Sequence, residues 1–67
     1  MRISYNKLWK MLIDNNMKKS DLREKAGISS ASLAKLGKGD NITTDVLLRI
    51  CKVMDCRIED ILETVRD

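Results

Sequence analysis

The sequence predicts a small all-α domain of five short helices, and three observations carry that prediction. Its 67 residues include no proline and only three glycines, so little in the composition interrupts a helix. Apolar residues recur at helical spacing in separate blocks rather than alternating as in strands. Each block is also preceded by an apolar residue with another five positions on, the spacing of a hydrophobic staple across a helix start. The length allows one core and a single domain over residues 1–67. A chain this short buries only about 60% of its unfolded surface, so a second copy or a ligand would add usefully to its stability.

Taken in order, Ile3-Ser4 with Leu8 places the first helix start near residue 5, with Ser4 as its cap. Tyr5, Leu8, Trp9, Leu12 and Ile13 then form one face, and Met11 falls away from it. Met17-Lys18 with Leu22 starts the second helix near residue 19, although lysine is a poor cap. Ile28-Ser29 with Leu33 starts the third near residue 30, and Ile42-Thr43 with Leu47 the fourth near residue 44. Val46, Leu47, Ile50, Cys51 and Met54 make the inner face of that fourth helix. Cys56-Arg57 with Ile61 starts a fifth near residue 58, with Ile58, Ile61, Leu62 and Val65 on one side. The turn formers in Asp14-Asn15-Asn16 and from Gly37 to Asn41 fill the gaps.

The segment Leu22–Leu36 has the punctuation of a helix-turn-helix spanning about residues 18–37. Its apolar positions are Leu22, Ala26, Ile28, Leu33 and Leu36, and Gly27 stands between two helical patterns. Glycine can end a helix in a left-handed conformation without steric penalty, after which Ile28 plugs the corner and Ser29 caps the next helix. With Leu33 and Leu36 turned inward, Ser30, Ala31, Lys35 and, past the helix end, Lys38 face outward. Hydroxyls there can donate to or accept from base edges, Ala31 can touch a thymine methyl, and Lys35 can reach guanine or phosphate. Lys18 and Lys19 stand where phosphate meets the free amides of the second helix.

Charge coincides with this segment. Residues 18–39 hold six basic side chains against two acidic, whereas residues 40–67 hold four basic against seven acidic. The overall +3 therefore conceals a cationic middle, the footprint of a nucleic-acid contact.

Other chemistries lack their parts. There is no histidine, and Cys51 and Cys56 match no zinc spacing, so they read as free buried thiols in a cytoplasmic protein without metal or cofactor. No apolar run is long enough for a membrane span. Ser32-Leu-Ala-Lys35 has the spacing of a serine–lysine acyl-transfer pair, but no second motif supplies an oxyanion hole or a base. Gly37-Lys-Gly39 is too short for a phosphate-binding loop. No enzyme is expected. Tyr5 and Trp9 belong to the core pattern rather than to a base-stacking platform, which disfavours single-stranded nucleic acid.

Met17-Lys-Lys-Ser-Asp-Leu22, Gly27-Ile-Ser29, Leu33-Ala-Lys-Leu36, Ile42-Thr-Thr-Asp-Val-Leu47, Ile50-Cys-Lys-Val-Met-Asp-Cys56 and Asp60-Ile-Leu62 occur in that order. Together they resemble the Cro/C1-type (xenobiotic response element) helix-turn-helix regulators, in particular the short, single-domain bacterial members. The resemblance covers about residues 5–63. It implies a compact five-helix, lambda-repressor-like DNA-binding domain, a cytoplasmic location, and recognition of double-stranded promoter or operator DNA, often as a homodimer. It places Ser29, Ser30, Ala31 and Lys35 toward bases and Lys19, Lys38 and Asn41 toward phosphates. Three positions depart from the family pattern: Lys18 replaces a Ser or Thr cap, Arg23 replaces a small alanine, and the third helix lacks Gln, Asn or Arg for bidentate base contacts. Readout by one subunit is accordingly expected to be weak, with dimerisation, DNA shape or a regulatory protein partner supplying the rest.

A second reading is a helix-turn-helix-fold adaptor that binds protein, antitoxin-like or co-regulatory, with little DNA specificity. Leu48 and Val53 motivate it, because both fall off the inner face of the fourth helix and would form a dimer or partner surface if they cluster.

Overall fold

In the computed structural model, which describes residues 1–66, the chain runs through β1 (Arg2–Ser4), α1 (Asn6–Asp14), α2 (Lys19–Ala26), α3 (Ser30–Lys38) and α4 (Thr44–Met54). A single 3₁₀ turn (Ile58–Asp60) and β2 (Glu63–Val65) complete it. Of the expected single-domain span, only Asp67 lies outside the described residues.

Three of the connections repeat one design. At Asn16-Met17-Lys18, Gly27-Ile28-Ser29 and Asp55-Cys56-Arg57, a residue of positive φ (53°, 65° and 51°) is followed by an apolar residue and then an extended one (ψ 159°, 161° and 163°). In each, the amide of the apolar residue reaches back five positions: Met17 to the Leu12 carbonyl, Ile28 to Arg23 and Cys56 to Cys51, at 2.9–3.2 Å. That is the bond that closes a helix end in the Schellman manner. The apolar residue of each corner therefore closes one helix and stands just before the cap of the next. Ile28 is buried, and Met17 and Cys56 pack half-buried against the core. This is why the staple spacing reads so regularly along the sequence.

The caps divide by chemistry. Ser29 Oγ accepts the Ser32 amide at 3.1 Å, and Thr43 Oγ1 accepts that of Val46 at 3.3 Å. Lys18 has no acceptor on its side chain. There the reciprocal half of a capping box serves instead, because Asp21 Oδ2 accepts the Lys18 amide at 3.0 Å. Asp60 does the same for the Arg57 amide at 2.9 Å. Ser4, expected to cap α1, lies in β1 and accepts only from the Asn6 amide at 3.3 Å, while Tyr5 occupies the cap position.

The expectation of five helices is corrected at the C-terminal end. The chain does turn at residue 58, but the turn closes after Asp60 and residues 63–65 extend. They pair antiparallel with β1 in the register Arg2↔Val65, Ile3↔Thr64 and Ser4↔Glu63. β-branched Ile3, Thr64 and Val65 suit that pairing, which satisfies backbone groups that a further helical turn would otherwise have claimed. The expected turn region at Gly37–Asn41 is also shorter, because α3 continues through Lys38 and Gly39 (φ 75°) ends it.

The core takes one fully buried residue from each helix, Leu8, Leu22, Leu36 and Ile50, and a fifth, Ile61, from the exit of the 3₁₀ turn. Each contributes about 1.5–3 kcal/mol by leaving water. α4 packs chiefly along α2. The inner face of α1 is rotated from the expected one: Ile13 is 74% exposed, while Met11 packs half-buried against the core. With Leu8 and Leu12 at the centre of a nine-residue helix, Ile13 lies about 100° beyond Leu12 and overshoots the contact. Buried Tyr5 donates its hydroxyl to the Asp40 carbonyl at 2.9 Å, fastening the start of α1 to the end of α3. Burial, with the Asp40 carboxylate second, raises the Tyr5 pKa.

Candidate nucleic-acid interface

The corner Gly27-Ile28-Ser29 sets α3 off from α2, and a residue of α4 secures it. Arg49 places Nη1 3.4 Å from the Gly27 carbonyl while its Nε donates to Asp45 Oδ2 at 3.0 Å. A guanidinium at the end of α2 satisfies a carbonyl the helix cannot use and complements the helix dipole. The sequence offers only the Asp45–Arg49 spacing as a hint of this residue, and nothing in it points to Gly27.

Along α3, Ser30, Ala31 and Lys35 are exposed, as expected of base-facing positions. Ala34 is exposed too and shares their face, three residues after Ala31 and one before Lys35; its spacing was the available signal. Ser29 is exposed but otherwise engaged. Its hydroxyl accepts the Ser32 amide and donates to Ser32 Oγ at 3.1 Å. The hydroxyl pair passes donor capacity on to half-buried Ser32, which leaves Ser30 as the unbonded hydroxyl at the head of the helix among the described residues. Leu36 is buried and Leu33 half-buried, so the helix is anchored mainly through its C-terminal half.

The expected phosphate-facing residues Lys18, Lys19, Lys38 and Asn41 are all exposed. Among the described residues, no carboxylate forms an ion pair with Lys18, Lys35 or Lys38. Lys19 is held differently, with Nζ 4.4 Å from the centroid of the Trp9 ring. Trp9 also borders a polar hollow of about 160 Å³ that takes in Lys38, Arg2 and Asn6. The tryptophan, expected only as core, thus lies between the cation that begins α2 and the one that ends α3. Arg23, where a small residue was expected, is half-buried on α2, which remains in contact with α3.

Leu48 and Val53 are not brought together. Leu48 is 59% exposed, whereas Val53 packs half-buried against the core. Five positions apart on a helix, they point about 140° away from each other. Cys51 is buried and Cys56 half-buried, and both are free thiols. Burial, reinforced by Cys51, pushes the Cys56 thiol up to about 11. Among the described residues, no helix is long and apolar enough to cross a membrane.

The sequence profile of the Cro/C1-type HTH DNA-binding domain matches residues 7–67, nearly the whole chain. The chain belongs to this family. A solved structure of the transcriptional regulator VanUg is similar over 98% of this chain and 88% of its own, with 52% identity and a TM-score of 0.95. An uncharacterized HTH-type transcriptional regulator of Bacillus subtilis (strain 168), YozG, is 40% identical over 55 residues. That alignment takes in 79% of this Cro/C1-type domain and 66% of YozG, just under two thirds of the relative.

Proposed function

We propose that this Cro/C1-type domain is a cytoplasmic transcriptional regulator that lays α3 in the major groove of double-stranded DNA. The observation that carries this reading is the exposed face of Ser30, Ala31, Ala34 and Lys35, flanked by Lys18 and Lys38 without counter-charges among the described residues. On that reading, α3 presents one free hydroxyl, two methyl groups and one ammonium to base edges. The lysines at the start of α2, together with its free amides, take phosphates. The names of VanUg and YozG as transcriptional regulators support the regulatory role.

The contact surface is sparse. It has no side chain that forms a bidentate pair with a base, an interaction worth about 1–3 kcal/mol. Two copies on paired half-sites, about 34 Å apart, supply the missing specificity by doubling the contacts. Enrichment from random duplex DNA, followed by affinity measurements over a range of salt, tests both statements. Lys19→Ala should weaken binding to every duplex and flatten the salt slope by about one unit, whereas Ser30→Ala should change which duplex is preferred. Absence of any enriched sequence, together with a salt-independent affinity, would reject the DNA reading. A monomer by sedimentation, both free and on the enriched duplex, would reject the dimer.

A further inference from the structure

One surface lies beside the proposed DNA face and shares with it only Lys18 and Lys19. Between the C-terminal half of α1 and the start of α2 runs a groove of about 500 Å³, walled by Trp9, Leu12, Ile13 and Met17 and rimmed by Lys18 and Lys19. Its walls are predominantly apolar, and Ile13 stands 74% exposed at its edge. Nothing in the fold requires an isoleucine there, since the residue lies outside the contact that α1 makes with the core. Trp9 is half-buried, with one face of its ring turned to the Lys19 ammonium at 4.4 Å. Asp21, the carboxylate in the first turn of α2, is turned to the Lys18 amide rather than to either lysine head.

We propose that this groove docks an acidic, amphipathic segment of a partner protein. Apolar side chains of the segment fill the space between Trp9, Ile13 and Met17, and its carboxylates meet Lys18 and Lys19. Charge selects this occupant over a second copy of the chain. An isologous contact through the same patch would bring the two Lys18-Lys19 pairs together with no carboxylate between them, whereas an acidic segment meets both lysines. The volume suits two or three aliphatic side chains, and Met17 supplies an adaptable wall for them. Because Lys18 and Lys19 are also the proposed phosphate contacts, a bound acidic segment competes with DNA.

The test uses the whole protein and a synthetic helical peptide carrying leucines at i, i+4 and i+7 with glutamates beside them. Emission from Trp9, the one tryptophan, reports docking without any DNA present. This separates failure of the groove from failure of the DNA reading. Saturable binding is expected, weakened at least about tenfold by Ile13→Glu and left unchanged by Leu48→Glu, another exposed apolar site elsewhere. The same peptide with lysines in place of its glutamates should not bind. Ile13→Glu should keep the melting temperature of the parent, and the uncharged Ile13→Gln should keep its DNA affinity as well. No saturable binding, equal binding of the lysine peptide, or indifference to Ile13→Glu would overturn the proposal. A loss of DNA affinity in Ile13→Gln, which adds no charge, would also overturn it, by assigning the groove to the DNA interface.

Discussion

Replacing Gly27 by alanine tests the corner on which the α2–α3 unit depends. Gly27 has φ 65° and ψ 34°, so a side chain there is held in the left-handed region. The space itself is open: an added Cβ would lie 3.6 Å from Arg49 Nη1, an ordinary contact with the end of a long side chain. The cost is therefore almost entirely conformational, about 1–2 kcal/mol for an L-residue in that region. It is offset in part by the smaller entropy that alanine loses on folding, about 0.4–1 kcal/mol. For a domain of this size, a net loss near 1 kcal/mol lowers the melting temperature by roughly 4–8 °C. Gly27→Asn should lose less, because Asn16 already occupies the same conformation at the equivalent corner before α2. Gly37 provides the opposite control, since it lies inside α3 and an added Cβ would meet nothing within 4 Å. Gly37→Ala should raise stability by about 0.5–1 kcal/mol. Urea titrations followed by circular dichroism measure all three. A Gly27→Ala variant as stable as the parent, or one no worse than Gly37→Ala, would refute the argument that backbone conformation decides this corner.

Three other outcomes follow from the same structure. Ser29→Ala and Thr43→Ala should each destabilise by about 1 kcal/mol in urea, because each leaves a helix amide without its cap. Asp21→Asn weakens the anion at the start of α2, so it should lower stability by about 0.3–1 kcal/mol while raising affinity for DNA at low salt, read by melting and by fluorescence anisotropy. Stability should fall as pH rises from about 9.0 to about 11, because the unfolded Cys56 thiol loses its proton near the lower value and the folded one near the upper. The unfolded state gains from that ionisation first, Tyr5 acts in the same direction, and Cys56→Ala should flatten the fall in urea midpoints across that range.

The helices were legible because their signals are local. A staple, a cap and a left-handed corner fall within six residues of one another, and the three repeated corners place the same apolar residue at the end of one helix and before the next. The starts at 19, 30, 44 and 58 coincide with the observed ones, and that of α1 lies one residue later than expected. The facing of α1 was less legible. Ile13 and Met11 exchange their expected places because a short helix can rotate by a fraction of a turn without disturbing the spacing of Leu8 and Leu12. At the interface, exposure of Ser30, Ala31 and Lys35 follows from the inward leucines of α3. The engagement of Ser29 with Ser32, the Lys19–Trp9 contact and the hold of Arg49 on Gly27 each depend on where a neighbouring side chain comes to rest.

Local signals along the chain fixed the helix-turn-helix, the positions of four helices, the glycine corner and the concentration of positive charge on that unit. All of these are properties of residues close together along the chain, where spacing alone fixes who meets whom. Only the tertiary structure decided that the fifth block would stop after one turn and become a strand, since its partner is β1 at the other end of the chain. A three-residue strand has too little alternation to announce itself, and its hydrogen bonds exist only once the core has brought residues 2–4 beside residues 63–65. The same is true of the groove beside Ile13: its apolar walls come from α1 and α2, and their meeting is a property of the packed chain.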